Sequence, residues 1–247
     1  MAVRPTRMLS RLLVAGVALS FLAPISAIAA DPANPANPAV TSDRKNAAEQ
    51  QKLVDSARKT IDALRADADF PSFGERLNAA RGVIIVPNLV KAGYIVGGEG
   101  GRAIVAERSG KSGAWSYPAF YTLGSASLGL QIGAQVSETV FLVMSDRAME
   151  RLRHDQFKLG ADASVAVATI GAGVEAGTAS NMAADIIAYS RSKGLFGGLS
   201  LEGSVIDFNE EWTQAYYGQR LNTADVLVNA KARNAGAEKL RLALAGE

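Results

Sequence analysis

The sequence predicts an α+β fold: a single domain in which a glycine-rich, mainly antiparallel sheet carries helices at both ends. Three observations predict it. Between Asp43 and Arg65, apolar residues fall at Leu53, Val54, Ala57, Ile61 and Leu64, the i, i+3/i+4 spacing of an amphipathic helix. From Gly82 to Met144 the period drops to two, in short runs bounded by glycine, proline and serine. From Phe208 to Ala245 the composition becomes helical again.

In chain order, residues 1–29 carry Arg4, Arg7 and Arg11, an uncharged run, and Ala27 and Ala29 in an A-x-A arrangement, which together predict a secretory signal peptide. The strongly apolar part, Leu12 to Ala23, spans only about 18 Å as a helix, short of the roughly 30 Å hydrocarbon layer. An uncleaved anchor is the alternative. No cysteine follows the run, so a lipidated anchor is excluded. Residues 30–41 hold Pro32, Pro35 and Pro38 at the three-residue period of polyproline II and predict a semi-stiff linker. The domain then runs over 42–247.

Within it the first helix is closed by Asp69-Phe70-Pro71, and a second covers Pro71 to Ala80 with Phe73, Leu77 and Ala80 on one side. The runs GVIIVP, GYIVGG, RAIVAER, AWSYPAFYTL and LGLQIGAQVSETVFLVM read as strands, with turns at the glycines between them. Asp146 to Phe157 reads as helix, Ser164 to Val174, Ala184 to Ser192 and Leu199 to Asp207 as strands, and Phe208 to Tyr217, Thr223 to Ala232 and Gly236 to Ala245 as helices. About 200 ordered residues suffice to bury a sizeable core.

The stretch Tyr189 to Gly203, YSRSKGLFGGLSLEG, is the main functional candidate. Alternation places Arg191 and Lys193 on the Tyr189 side of a strand, and Gly194, Gly197 and Gly198 bracket Leu195 and Phe196. Two phosphate-seeking cations beside an apolar tip suit a lipid headgroup site; the competing reading buries Leu195 and Phe196 and leaves the cations solvated. Lys91, in PNLVKAGYIVGG, lies in a second Pro- and Gly-bounded turn and is an auxiliary candidate. Six bases against four acids make the polar side of the Asp43–Arg65 helix mixed, which favours a core-facing role.

This stretch resembles the SYLF family, whose hallmark is a serine-basic-glycine-Leu-Phe segment followed by a Ser-Leu-x-Gly strand. The resemblance extends to Ala80–Gly101, Trp115–Phe120, Gly129–Gln135 and Ala215–Gly218. It implies lipid binding, with phosphoinositide recognition and actin-linked roles in eukaryotic members and an envelope role for a bacterial secreted one. The expected partner is an anionic phospholipid surface, with a protein partner in the envelope possible and actin disfavoured by the export signal. The expected location is periplasmic or secreted, with peripheral membrane association possible.

Composition excludes other classes. Removing residues 1–29 takes three of the 26 bases and none of the 24 acids, leaving 23 against 24, a net charge of −1 that argues against nucleic-acid binding. Without cysteine there is no thiolate catalysis and no zinc-thiolate site. Gly171–Ala176 matches G-x-G-x-x-A, but Arg191 stands about where a ribose-binding acid belongs. Gly110-Lys111-Ser112 lacks the first P-loop glycine, Val105 occupying its place. His154 is the only histidine and no G-x-S-x-G elbow exists. Asp207, Glu210 and Glu211 lack calcium-loop spacing. The expectation is therefore a non-enzymatic lipid-binding protein with no cofactor and no metal; a structural or protein-interaction module and an unrecognised hydrolase are the alternatives.

Overall fold

The computed structural model describes residues 38–93, 96–128, 133–154, 156–168, 184–193 and 203–247. The expected signal peptide, most of the linker, and the Leu195-Phe196 tip lie outside them. Two helices, α1 (Pro38–Arg65) and α2 (Phe73–Ala79), precede four long strands, β1 (Gly82–Gly93), β2 (Val96–Glu107), β3 (Ala119–Leu128) and β4 (Gly133–Val143). Then come α3 (Asp146–Leu152), β5 (Gln156–Lys158), β6 (Val165–Val167), β7 (Ile186–Lys193) and β8 (Val205–Phe208). Three helices close the chain: α4 (Glu210–Tyr217), α5 (Thr223–Leu227) and α6 (Glu238–Ala245).

The strands form one sheet in the order β5-β8-β3-β2-β1-β4-β7-β6. Every pairing is antiparallel except β6 with β7. Laid flat, eight strands would hold β5 and β6 about 34 Å apart, at about 4.8 Å per strand. Yet Lys158 and Val165 are joined by a chain that reaches only about 25 Å at full stretch. That chain is itself folded, with Gly160 N donating to Ala163 O at 3.0 Å and a bridge between Leu159 and Ala163. The sheet must therefore curl until its edges approach.

Curling gives the sheet a convex and a concave face, each with its own core. On the convex face the α1 stripe of Leu53, Val54, Ala57, Ile61 and Leu64 is buried against Val83, Ile85, Ile104, Phe120, Val140 and Leu142. Phe70 and Phe73 meet the Tyr189 ring edge-on, at 5.4 and 5.0 Å between centroids. On the concave face Ile84, Val105, Tyr121, Phe141 and Ile186 pack with Met149 and Leu152 of α3, Phe157 of β5 and Val226 of α5. The period-two alternation thus feeds two cores from one sheet.

Several elements differ from expectation. The first helix starts at Pro38, where a proline's missing N–H costs nothing because first-turn donors have no helical partner. Gly93 of GYIVGG ends β1, whereas Val96–Gly98 and RAIVAER lie on the single strand β2, so the GGEGG run is strand and not turn. The reason lies in β1: Val86-Pro87-Asn88-Leu89 forms a bulge, shifting the register against both neighbours. Opposite it, a Cβ on Gly101 would lie 2.7 Å from Val86 Cγ1 and 2.9 Å from Asn88 O, so only glycine lets β2 pass. The helix expected to reach Phe157 stops at Leu152, and Gln156–Lys158 pairs with β8, burying Phe157 between exposed neighbours. The helix expected to run to Ala232 stops at Leu227.

Candidate functional site

Register brings Gly93, Gly97, Leu128, Gly133 and Lys193 to one end of the sheet, the glycine end. Gly82, Glu107, Ala119, Val143 and Ile186 mark the opposite end. The predicted site residues Arg191, Lys193 and Lys91 all fall toward the glycine end, on β7 and β1 with β4 between them. Arg191 and Lys91 fall on opposite faces of the sheet.

Arg191 lies on the convex side, where its Nε is 2.8 Å from Asp67 Oδ2, just past α1, and its Nη1 donates at 3.0 Å to Glu138 Oε2, its cross-strand partner. One guanidinium between two carboxylates leaves no surplus positive charge. Its role is a clamp that ties the end of α1 to β4 and β7, with the side chain still 40% exposed. Lys193 pairs through its backbone with Val136.

Lys91 sits within β1, not in a turn, opposite Glu99 of β2 and Gln135 of β4. It shares the concave side with Glu99, whose carboxylate is buried and receives a hydrogen bond from Ser204 Oγ at 3.4 Å. Burial pushes the Glu99 pKa up, while Lys91, Ser125 and Ser204 pull in the other direction without overcoming it. Glu99 Oε2 accepts no hydrogen bond. Nearby on the same face, Thr139 Oγ1 lies 3.3 Å from Ser137 Oγ and 3.1 Å from Ser190 Oγ. The concave face is thus apolar toward α3 and polar toward the glycine end. Sequence reasoning missed Glu99; the signal was the alternation of Gln135, Ser137 and Thr139 with Val136, Glu138 and Val140, which marks a polar inner row.

The convex side of the same end is different. Val90 and Val136 are cross-strand partners on β1 and β4 and are 46% and 41% exposed. Beside Val90 a groove of about 350 Å³ runs between α1 and β2, lined by Lys52, Ser56, Gly100 and Arg102. Arg102 is held by Glu49 at 3.3 Å and lies over the Trp212 ring at 4.4 Å, whereas Lys52 is exposed and unpaired among the described residues. An exposed apolar pair with a cation beside it is also the arrangement expected of Leu195-Phe196, which lies outside the described residues; the Val90–Val136 pair spans β1 and β4, and β4 neighbours β7.

The other sequence candidates are ordinary surface groups. Glu210 pairs with Arg220, Asp207 accepts from Gln156, and Lys231 pairs with Asp225. Among the described residues no cluster of three or more His, Cys, Asp or Glu side chains is arranged to hold a metal, and no helix is long and apolar enough to cross a membrane.

Comparison with known proteins decides the family. The profile described as "Ysc84: Las17-binding protein actin regulator" matches residues 124–246. The chain belongs to the Ysc84 (SYLF) family. It is 35% identical over 162 residues to the SH3 domain-containing YSC84-like protein 1 of Homo sapiens, a match covering 65% of this chain and 47% of the human protein. It is 30% identical over 198 residues to the LAS seventeen-binding protein 3 of Saccharomyces cerevisiae, covering 79% of this chain and 41% of the yeast protein. The yeast Protein YSC84 is 30% identical over 192 residues, with 76% and 40% covered. This SYLF chain therefore spans less than half the length of these relatives.

Proposed function

We propose that this SYLF domain is a non-enzymatic module that docks on anionic phospholipid through the glycine end of its sheet. The observation that carries the reading is the exposed Val90–Val136 pair, next to the strand that leads into the Lys193–Gly203 segment. Two adjacent apolar side chains left in water at a strand end are poised to leave it, and Lys52 and Lys193 supply charge for phosphate. Arg191 has a structural part in this reading, as the clamp between α1 and the sheet. Leu195 and Phe196, outside the described residues, are the apolar part that the sequence adds to this reading. Lys91 tunes Glu99 from the concave side and does not meet the bilayer first.

In this reading the N-terminal segment exports the domain to the bacterial envelope, where phosphatidylglycerol or cardiolipin replaces phosphoinositide as the anionic surface. Actin is left out for the same reason. Co-sedimentation of the chain lacking residues 1–29 with phosphatidylglycerol vesicles and with neutral phosphatidylcholine vesicles tests it. A base near an anionic surface contributes about 1 kcal/mol, so Lys52→Ala and Lys193→Ala are each expected to weaken binding about fivefold. Val90→Asp with Val136→Asp is expected to abolish it. Equal binding of all variants, or equal binding to both vesicle types, rejects the reading.

A second reading, a protein-interaction module of the envelope, is favoured by the relatives' names, which include Las17 binding and SH3 domains. Retention of an envelope protein by the Val90→Asp/Val136→Asp variant, after vesicle binding is lost, supports it.

A further inference from the structure

A cavity of about 210 Å³ lies at the opposite end of the sheet, between the loop 108–117 that follows β2 and the chain joining α5 to α6. It is a separate feature from the docking surface above. Its walls are Ser109, Ser112, Trp115 and Tyr117 on one side and Arg233 and Arg241 on the other, with apolar backing from Val226 to Ala230.

The hydrogen-bonding groups that remain available here are donors. Ser109 Oγ accepts from Ser112 N at 3.4 Å and Ser112 Oγ accepts from Ala114 N at 3.3 Å, so each hydroxyl keeps its proton free to donate. Trp115 is 3% exposed, with its indole Nε1–H sealed from solvent, so the ring backs the wall without offering a donor to the cavity. Arg233 is exposed and forms no ion pair among the described residues. The two acids close by are already engaged. Glu107 is bound bidentately by Arg153, and Glu238 by Arg241 and the Tyr117 hydroxyl. Arg241 is fixed further by its Nε bond to Trp115 O at 2.9 Å and by its stacking 4.4 Å over the Tyr117 ring. The net charge left over is that of Arg233.

The backbone of this wall is also strained. Ala230 has φ 52°, the one non-glycine residue with positive φ among the described residues, and it lines the cavity. An L-residue in that region is strained and persists only where its surroundings hold it. Here Asn229 N donates to Ala224 O at 2.8 Å and Lys231 N to Asp225 O at 3.0 Å, clamping both sides. The clamp sets the course of the chain that leads to Arg233.

We propose that this cavity binds a phosphate monoester head group, with Arg233 as the selecting charge and the Ser109 and Ser112 hydroxyls as further donors. A lining of donors with one unpaired guanidinium suits an acceptor-only oxyanion and rejects a cation. The volume lies below the roughly 300–1,000 Å³ of drug-sized sites, so a compact group such as glycerol phosphate fits where a nucleotide does not. Free glycerol phosphate and a phosphatidic acid head group present the same monoester oxyanion.

Isothermal titration of the chain lacking residues 1–29 with sn-glycerol 3-phosphate, with glycerol as the uncharged control, tests the site. Saturable binding of the phosphate and none of glycerol is expected. Arg233→Gln is expected to weaken it at least tenfold and Ser109→Ala with Ser112→Ala severalfold, with the urea midpoint of Arg233→Gln unchanged because that side chain is exposed. Binding to phosphatidic acid vesicles that is lost in Arg233→Gln, without binding of free glycerol phosphate, assigns the head group to a lipid and keeps the site. Binding of neither, or equal binding by Arg233→Gln and the parent chain, overturns it.

Discussion

Replacing Asp185 by Asn removes a charge on which four hydrogen bonds converge at the start of β7. Ser145 Oγ donates at 2.7 Å, an Arg147 Nη at 2.6 Å, and Ser164 through its N–H at 3.0 Å and its hydroxyl at 2.8 Å. Ser145 also caps α3, so this carboxylate joins β7, the chain leading into β6, and a helix. Burial alone would raise the Asp185 pKa, but the bonds from Ser145, Ser164 and Arg147 outweigh it and bring it from 3.8 to about 2. A depressed carboxyl pKa stabilises the fold above the unfolded value, and that stability is lost as pH falls from about 4 through about 2. At about 1.4 kcal/mol for each tenfold change in proton affinity the shift corresponds to roughly 2 kcal/mol. The Arg147 side chain is 69% exposed, and screening there trims the figure to about 1–2 kcal/mol. The Asn amide also sets a donor against donors from Ser164 or Arg147, adding about 1 kcal/mol. Urea denaturation followed by circular dichroism should therefore show Asp185→Asn less stable than the parent chain by about 2–3 kcal/mol at pH 7. The gap should narrow by about 1 kcal/mol near pH 2.5, where the carboxyl of the unfolded parent chain is protonated. A gap that stays constant with pH, or one below about 0.5 kcal/mol at pH 7, would refute the assignment of Asp185 as an ionised hub.

Two further predictions concern the sheet. Gly101→Ala forces a Cβ against Val86 and Asn88 O in the β1 bulge and should cost about 1–3 kcal/mol by urea denaturation, whereas Gly110→Ala, with open space around it, should change stability by less than about 0.5 kcal/mol. Glu99 has a raised pKa, so its ionised form carries a penalty above that pKa that is relieved as pH falls. Glu99→Gln should therefore be at least as stable as the parent chain at pH 8, and its advantage should shrink on acidification; a variant that is less stable at pH 8 would show that the Lys91 interaction outweighs burial.

The parts of this fold that local chemistry dictates are readable in the residues. The Leu53–Leu64 stripe marks α1 because a helix buries what lies on one side of it, and Val83 to Val86 alternate because β1 feeds two cores. The misreadings share a cause, which is a distant partner. Met149, Leu152 and Phe157 fit helical spacing, and only pairing with β8 makes Gln156–Lys158 a strand. The glycines around Glu99 read as a turn, yet Gly101 is there to pass a bulge formed by Pro87 on the neighbouring strand. Glu99 itself looks like a surface acid until Ser204 covers it. Arg191 looks free for phosphate until register sets Glu138 opposite it and the end of α1 supplies Asp67. The family was legible because its motif is contiguous; the exposed Val90–Val136 pair was not, because two residues far apart in sequence meet only through the β1–β4 register.

Hydrogen exchange of the chain lacking residues 1–29, free and bound to phosphatidylglycerol vesicles, tests the docking surface most directly. The account predicts added protection on the convex glycine end, at Val90–Gly93, Gly97–Gly101 and Gln135–Ser137, and unchanged exchange at α3 and the 108–117 loop. Protection confined to α3 or that loop, with the glycine end unaffected in vesicle-bound protein, would contradict it.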